Sequence, residues 1–262
     1  MKESMAVHKE LIKELVIRDL SARYKGSTVG IFWSFITPLM MLIVYTFVFS
    51  VVFKAKWNVD TDTQTNFAVV LFVGLIIHSF FTEVINKSPL IITSNPNYVK
   101  KVIFPLEILP VVVTISAFIN MLISIVILAI AIVILQGQVE STFLYLPIIL
   151  IPLVILTLGL AWFLASIGTY LRDVSYLTTI ITTVMLFLTP VFYPLSALPE
   201  KYHPYILGNP LTFIIEQSRN AAIFNKEPDF YGVVVYTFFA SIFAMIGYLW
   251  FEKTKKGFAD VI

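Results

Sequence analysis

Six stretches of this chain, Val29 to Phe53, Phe67 to Asn86, Ile108 to Leu135, Phe143 to Gly168, Leu177 to Tyr193 and Tyr231 to Phe251, are apolar almost without a break. A helix crosses the hydrocarbon core of a bilayer with about 20 such residues, so the pattern predicts six membrane-spanning helices. The runs are rich in β-branched residues, but they are continuous rather than alternating. They are also far longer than the roughly 9–11 residues of a membrane β-strand, which excludes a barrel. Composition agrees, since 58% of the 262 residues are apolar and 13% charged, against about 45–50% and about 25% in soluble domains. The expected fold class is an all-α integral membrane protein with six transmembrane helices, in a single domain over residues 1–262. Little length is left for a water-soluble domain, so catalytic machinery of any size belongs on another chain.

Charge placement sets the orientation. The net charge of +2, from 18 Lys and Arg against 16 Asp and Glu, is too balanced for a nucleic-acid binder. With a cytoplasmic N-terminus, only Lys54, Lys56, Lys201, Arg219 and Lys226 fall on the far side, and the other thirteen of the 18 basic residues stay inside. Basic loops remain in the cytoplasm, so both termini are expected there. The polar first 28 residues put the first apolar run too late for a cleaved signal peptide, and the N-terminus is expected to be kept. The absence of Cys excludes disulfides, thiolate nucleophiles and Cys-ligated metals.

Three segments outside the spans carry information. Within residues 1–28, Met5 to Leu20 predicts a helix with Leu11, Ile12, Leu15, Val16 and Leu20 on one half and Glu10, Lys13, Glu14 and Arg18 on the other. Ile17 and Asp19 fall on the wrong halves. Such a helix lies in the membrane interface or packs on a partner. Residues 87–105 form a cytoplasmic loop in which Ser94, Asn95, Pro96 and Asn97 offer turn chemistry and a cap for a short helix. Residues 194–230 are broken by Pro194, Pro199, Pro204, Pro210 and Pro228, which predicts short outer-surface or re-entrant helices. One of these is capped by Asn209, begins at Pro210 and runs to about Phe224.

Several chemistries are missing. Gly26 and Gly30 are not followed by the Lys-Ser/Thr of a phosphate-binding loop, so this chain has no such route to ATP. His8, His78 and His203 are scattered and give no metal-ligand spacing, and His78 reads more simply as a hydrogen-bonded core residue. Glu83 and Glu107 sit at the cytoplasmic ends of the second and third runs, within reach of water or of Lys87 or Lys101. No span carries a deep carboxylate, as ion-coupled transport usually requires.

The first run is entered through Arg18-Asp19-Leu20-Ser21-Ala22-Arg23-Tyr24-Lys25-Gly26-Ser27-Thr28-Val29-Gly30-Ile31-Phe32-Trp33-Ser34-Phe35-Ile36-Thr37-Pro38-Leu39. This closely resembles the entry motif of the type 2 ABC exporter permeases that export lipid-linked polysaccharides: Arg-Asp, Arg-Tyr-Lys, then Leu-Gly-x-x-Trp and Pro-Leu. Val29 stands where Leu is commoner. Asn97 to Pro110, with Phe104-Pro105, and Asn209-Pro210-Leu211 leading to Arg219 fit the same family. The resemblance covers essentially the whole chain and is nearest to the O-antigen exporter permeases, with teichoic-acid and capsule exporter permeases close by.

The resemblance implies a homodimer in the bacterial cytoplasmic (inner) membrane, joined to two copies of a separate ABC ATPase subunit. No cofactor is then bound by this chain, and ATP and Mg belong to the partner. The implied substrate is an undecaprenyl-linked polysaccharide. An exporter of a drug or small lipid in the same superfamily, or a passive channel, are the alternatives.

On this reading Asn95, Asn97, Tyr98, Lys100 and Lys101 are candidates for coupling to the ATPase. Arg18, Arg23 and Lys25 are candidates for a lipid pyrophosphate, or for ordinary anionic headgroups. A hydroxylated polymer needs uncharged hydrogen-bonding groups and aromatic faces along its path. Ser34, Thr37, Met41 and Tyr45 share one helical face, and so do Thr178, Thr182, Met185, Thr189, Phe192 and Tyr193, which makes both faces candidate linings. The competing reading is that these Ser and Thr bond the carbonyl one turn back and pack between helices.

Overall fold

The computed structural model describes residues 2–23, 25–53, 57, 67–100 and 104–262, and the described residues contain helices and turns with no strand. Tyr24, Lys54, Lys56 and Lys101, which entered the motif and charge arguments, lie outside the described residues.

Five helical segments are long and apolar enough to cross a membrane: Trp33–Val52, Phe67–Leu90, Ile108–Gln136, Ser141–Tyr170 and Phe230–Val261. They are built on α2 (Trp33–Tyr45), α3 (Phe67–Lys87), α5 (Ile108–Gln136), α6 (Leu146–Tyr170) and α10 (Phe230–Thr254). Around them lie α1 (Lys2–Ala22), α4 (Pro96–Lys100), α7 (Val174–Leu188), α8 (His203–Leu207), α9 (Pro210–Ala222) and α11 (Phe258–Val261). The first span changes character midway, because α2 widens into a π-helical stretch over Thr46–Val52.

The fifth expected run, Leu177 to Tyr193, is present as a shorter apolar helix with different bounds, Val174–Leu188. Its helix α7 starts earlier and has 15 residues, about 22 Å at 1.5 Å per residue, short of a core of about 30 Å. The stop has a local cause. Thr189 precedes Pro190, whose ring disfavours helical backbone in the residue before it, and Thr189 is extended at φ −102°, ψ 143°. Val191 and Phe192 then turn back onto the core.

Helix α3 is apolar on every side, the pattern of a helix that is buried all round, and most of its residues from Phe67 to Ile85 are buried. Helices α2, α5, α6, α7 and α9 pack around it. The closest pairing is α6 with α10, where a side chain on Gly247 would overlap the carbonyl of Gly159. Small residues let the two backbones meet, the usual device for packing helices in lipid. Helix α5 closes on Gly137, whose left-handed φ of 90° lets its N–H reach the Val133 carbonyl at 3.0 Å. Helix α9 starts as expected, with Pro210 in the first turn and the Asn209 side chain accepting from the Leu211 N–H at 3.0 Å.

Candidate functional site

At one end of the bundle α1, α4, the start of α5 and the tail around α11 form a continuous packed unit. Leu15 and Val16 of α1 are buried against Ile108 and Val112 of α5, with Leu11, Ile12 and Leu20 alongside. The apolar stripe of α1 is thus seated on its own chain, while Ile17 stays half-exposed. Arg18 reaches across to α4, donating to the Tyr98 hydroxyl at 2.5 Å. The Tyr98 ring stacks on Phe104 at 4.3 Å. From the other side Phe251 and Phe258 pack with Ile92 and Leu109, and Tyr98, Val99 and Phe104 lie against that group. Asn95 ties the start of α4 to the preceding turn by donating to the Ile91 carbonyl at 2.8 Å. Asn97 and Lys100 point outward and are exposed. Five residues of α4 would be marginal as an isolated helix, so packing from three directions holds them.

Beside this unit is a charge cluster. Arg23 pairs with Glu83 and, at 3.2 Å, with Asp19. Glu83 also binds Lys87 at 3.0 Å and accepts from Asn120 at 3.4 Å. Burial pulls the Arg23 pKa down, but the carboxylates of Glu83 and Asp19 outweigh it and leave it raised. Glu107 pairs with Lys255 at 3.3 Å. Among the three basic candidates for a pyrophosphate, Arg23 is therefore committed to carboxylates and Arg18 to Tyr98. Lys25 is exposed with no partner among the described residues. The entry motif also gains a structural account. Gly26 and Gly30 have positive φ, and the Ser27 hydroxyl accepts from the Trp33 indole N–H at 3.0 Å, which fixes the turn into α2.

The candidate path residues are distributed unequally. In α2 Thr37 and Met41 are exposed, Ser34 is buried, and Tyr45 joins a ring cluster with Phe49. In α7 the expected face is turned inward: Thr178, Thr182 and Thr189 are all but completely buried. Thr178 donates to Ser175 at 3.0 Å, Thr182 to Asn86 Oδ1 at 3.2 Å, and Thr189 accepts from Asn209 at 2.8 Å. His78 Nε2 donates to the Thr182 carbonyl at 3.0 Å, the core role expected of it. Met185 and Phe192 pack on the core as well, and the Tyr193 hydroxyl donates to the Phe187 carbonyl at 2.9 Å. The polar face of α7 is turned onto α3, where Asn86 accepts from the Thr182 hydroxyl and His78 meets the Thr182 carbonyl. The opposite face, with Tyr176, Thr179, Ile180, Thr183 and Phe187, is exposed.

The opposite end of the bundle is organised by a residue that the sequence placed as an outer positive charge and as the end of a family stretch. Arg219 of α9 is completely buried. It donates to the carbonyls of Val70 at 3.1 Å, Pro190 at 2.6 Å and Val191 at 2.9 Å, and pairs with Glu216 at 3.0 Å. Burial lowers its pKa to about 10 against the pull of Glu216, so it stays charged at neutral pH. The sequence signal that pointed to it was the family stretch from Asn209-Pro210-Leu211 to Arg219.

A model of the ABC-2 type transporter family matches residues 10–223, from within α1 to just past α9. This chain belongs to the ABC-2 type transporter family. Among ABC-2 relatives, the O-antigen export system permease protein RfbA of Myxococcus xanthus is 27% identical, over 97% of this chain and 96% of its own length. A protein of the same name from Klebsiella pneumoniae is 24% identical over 100% of this chain and 98% of its own length. The polysialic acid transport protein KpsM of Escherichia coli is 24% identical over 85% of this chain and 84% of its own length. The ABC-2 match takes in α4, the break after Leu188 and the buried Arg219 alike, while Phe251 and Phe258 lie beyond it.

Proposed function

We propose that this chain is the membrane-spanning subunit of an ATP-driven exporter of polysaccharide. It works as a homodimer in a bacterial cytoplasmic membrane with two copies of an ABC ATPase, and carries an undecaprenyl-linked polymer outward. In this reading residues 1–262 are one permease domain, both termini are cytoplasmic, and ATP and Mg are held by the partner. The full-length similarity to O-antigen export permeases supports the substrate class.

The observation that carries the coupling role is the bracing of α4 by Arg18 of α1, by Phe104 and by the Phe251 and Phe258 pair. A push delivered to the exposed Asn97 and Lys100 would reach α1, α5 and α10 together, since packed side chains transmit strain. The exposed faces of α2 and α7 are the surfaces through which two copies would enclose a path. Lys25 remains available to a pyrophosphate. A coupling test replaces Asn95 to Tyr98 with a Gly/Ser segment in the assembled transporter. ATP hydrolysis should continue while export of the polymer stops, and undiminished export would remove the assignment.

A further inference from the structure

At the end away from α4 the structure encloses a cavity of about 590 Å³, within the range of about 300–1,000 Å³ of small-molecule sites. It lies at the end of α5 opposite the coupling residues, about 40 Å along that helix at 1.5 Å per residue. Its chemistry is specific. Two carboxylates face it, but Glu216 is paired with the buried Arg219 at 3.0 Å and Glu140 accepts from the Gln138 amide at 2.8 Å. Lys226 adds a positive charge at the rim. Counting Arg219 through its pair with Glu216, two carboxylates are matched by two cations, so the lining carries no net charge.

Uncharged polar groups in the lining are unspent. The amides of Gln136 and Asn220 and the hydroxyl of Ser196 make no hydrogen bond among the described residues. Each amide presents donor and acceptor together, and a carboxylate oxygen accepts, which matches the paired hydroxyls of a sugar. Leu195 and Phe224 supply apolar wall for the C–H face of a sugar ring.

We infer that this cavity is a saccharide site on the exit side, taking uncharged sugar units of the polymer as they emerge. The inference rests on the polysaccharide-export reading above. Such a site need only be weak, because a unit must enter it favourably and still leave. Its action is to hinder back-slippage of the chain between power strokes.

The lack of Cys makes the test direct. Asn220→Cys and, on a different element, Gln136→Cys are each placed in the permease–ATPase complex in lipid nanodiscs and labelled with a charged thiol reagent. The probe is the oligosaccharide released by mild acid from the host's exported polymer. Labelling of both variants should slow severalfold, with a saturating dependence on oligosaccharide, and sodium glutamate at the same concentration should leave it unchanged. Unchanged labelling at every oligosaccharide concentration, in a transporter whose wild type exports the polymer, overturns the site. Equal protection by glutamate overturns the saccharide class. Protection in a transporter that exports no polysaccharide keeps the site and removes the export reading instead.

Discussion

The guanidinium carbon of Arg219 lies 4.3 Å from the centroid of the Trp57 ring, and Trp57 in turn packs on Phe67 at 5.3 Å. A full positive charge is thus closed off by an aromatic face above and three backbone carbonyls around it. Removing it would leave the carbonyls of Val70, Pro190 and Val191 without their donor. Arg219→Met should destabilise the folded chain by about 3–5 kcal/mol, as expected when one side of a buried charge pair is deleted. Arg219→Lys keeps the charge but loses the planar fork and should recover only part of that. Thermal unfolding of the purified protein in detergent measures both.

Tyr98 should matter through its ring and hydroxyl together. Tyr98→Phe removes the bond to Arg18 and leaves the stack on Phe104, whereas Tyr98→Ala removes both. Export should fall modestly in the first and severely in the second, with ATP hydrolysis retained in each. Assays of polymer export and phosphate release on the same preparation separate these outcomes.

Arg23 and Glu83 should show direct energetic coupling. Their side chains are only 18% and 22% exposed, between the surface and buried regimes, so a double-mutant cycle through Arg23→Ala and Glu83→Ala should close with about 1–2 kcal/mol of interaction. A closure near zero would mean that Lys87 or Asp19 takes over the lost partner.

Gly247→Ala should break the α6–α10 pairing, because the added Cβ meets the carbonyl of Gly159 rather than a side chain that could rotate away. Overpacking of this kind costs about 1–3 kcal/mol where neighbours can shift, and here backbone would have to move. Loss of monodisperse protein on size-exclusion chromatography is the expected result. Gly137→Ala, where φ is 90° but space is open, should be milder.

The two faces of α7 should differ in reactivity. Single Cys at Thr179 or Thr183 should label with a small thiol reagent during ATP turnover, and Cys at Thr182 should stay protected, since Thr182 is 1% exposed and bonded to Asn86. Faster labelling at Thr182 than at Thr179 would show that α7 rotates during transport.

The spans of α3, α5, α6 and α10 were legible because a long apolar run has few other solutions in a bilayer. The start of α9 was legible because Asn209 and Pro210 act locally. Three features were not. The early stop of α7 turns on the Thr189-Pro190 step, a single local signal inside an apolar run that continues past it. The direction of its polar face depends on Asn86 and His78, partners 96 and 104 residues away from Thr182. The burial of Arg219 depends on carbonyls from α3 and from the turn after α7, and nothing in a local window distinguishes such an Arg from a solvated one.

The docking of Phe258 has a consequence for biogenesis. Ile92, Leu109 and Tyr98 leave the ribosome long before Phe251 and Phe258, yet these two rings close the apolar group on which α4 rests. Until they arrive, the side of α4 that rests on Phe251 and Phe258 is an exposed apolar patch on an unfinished chain. Nascent permease should therefore recruit holdase chaperones, and the motor should assemble only on chains whose synthesis has passed Phe258. An incomplete copy would then never be given an engine to run.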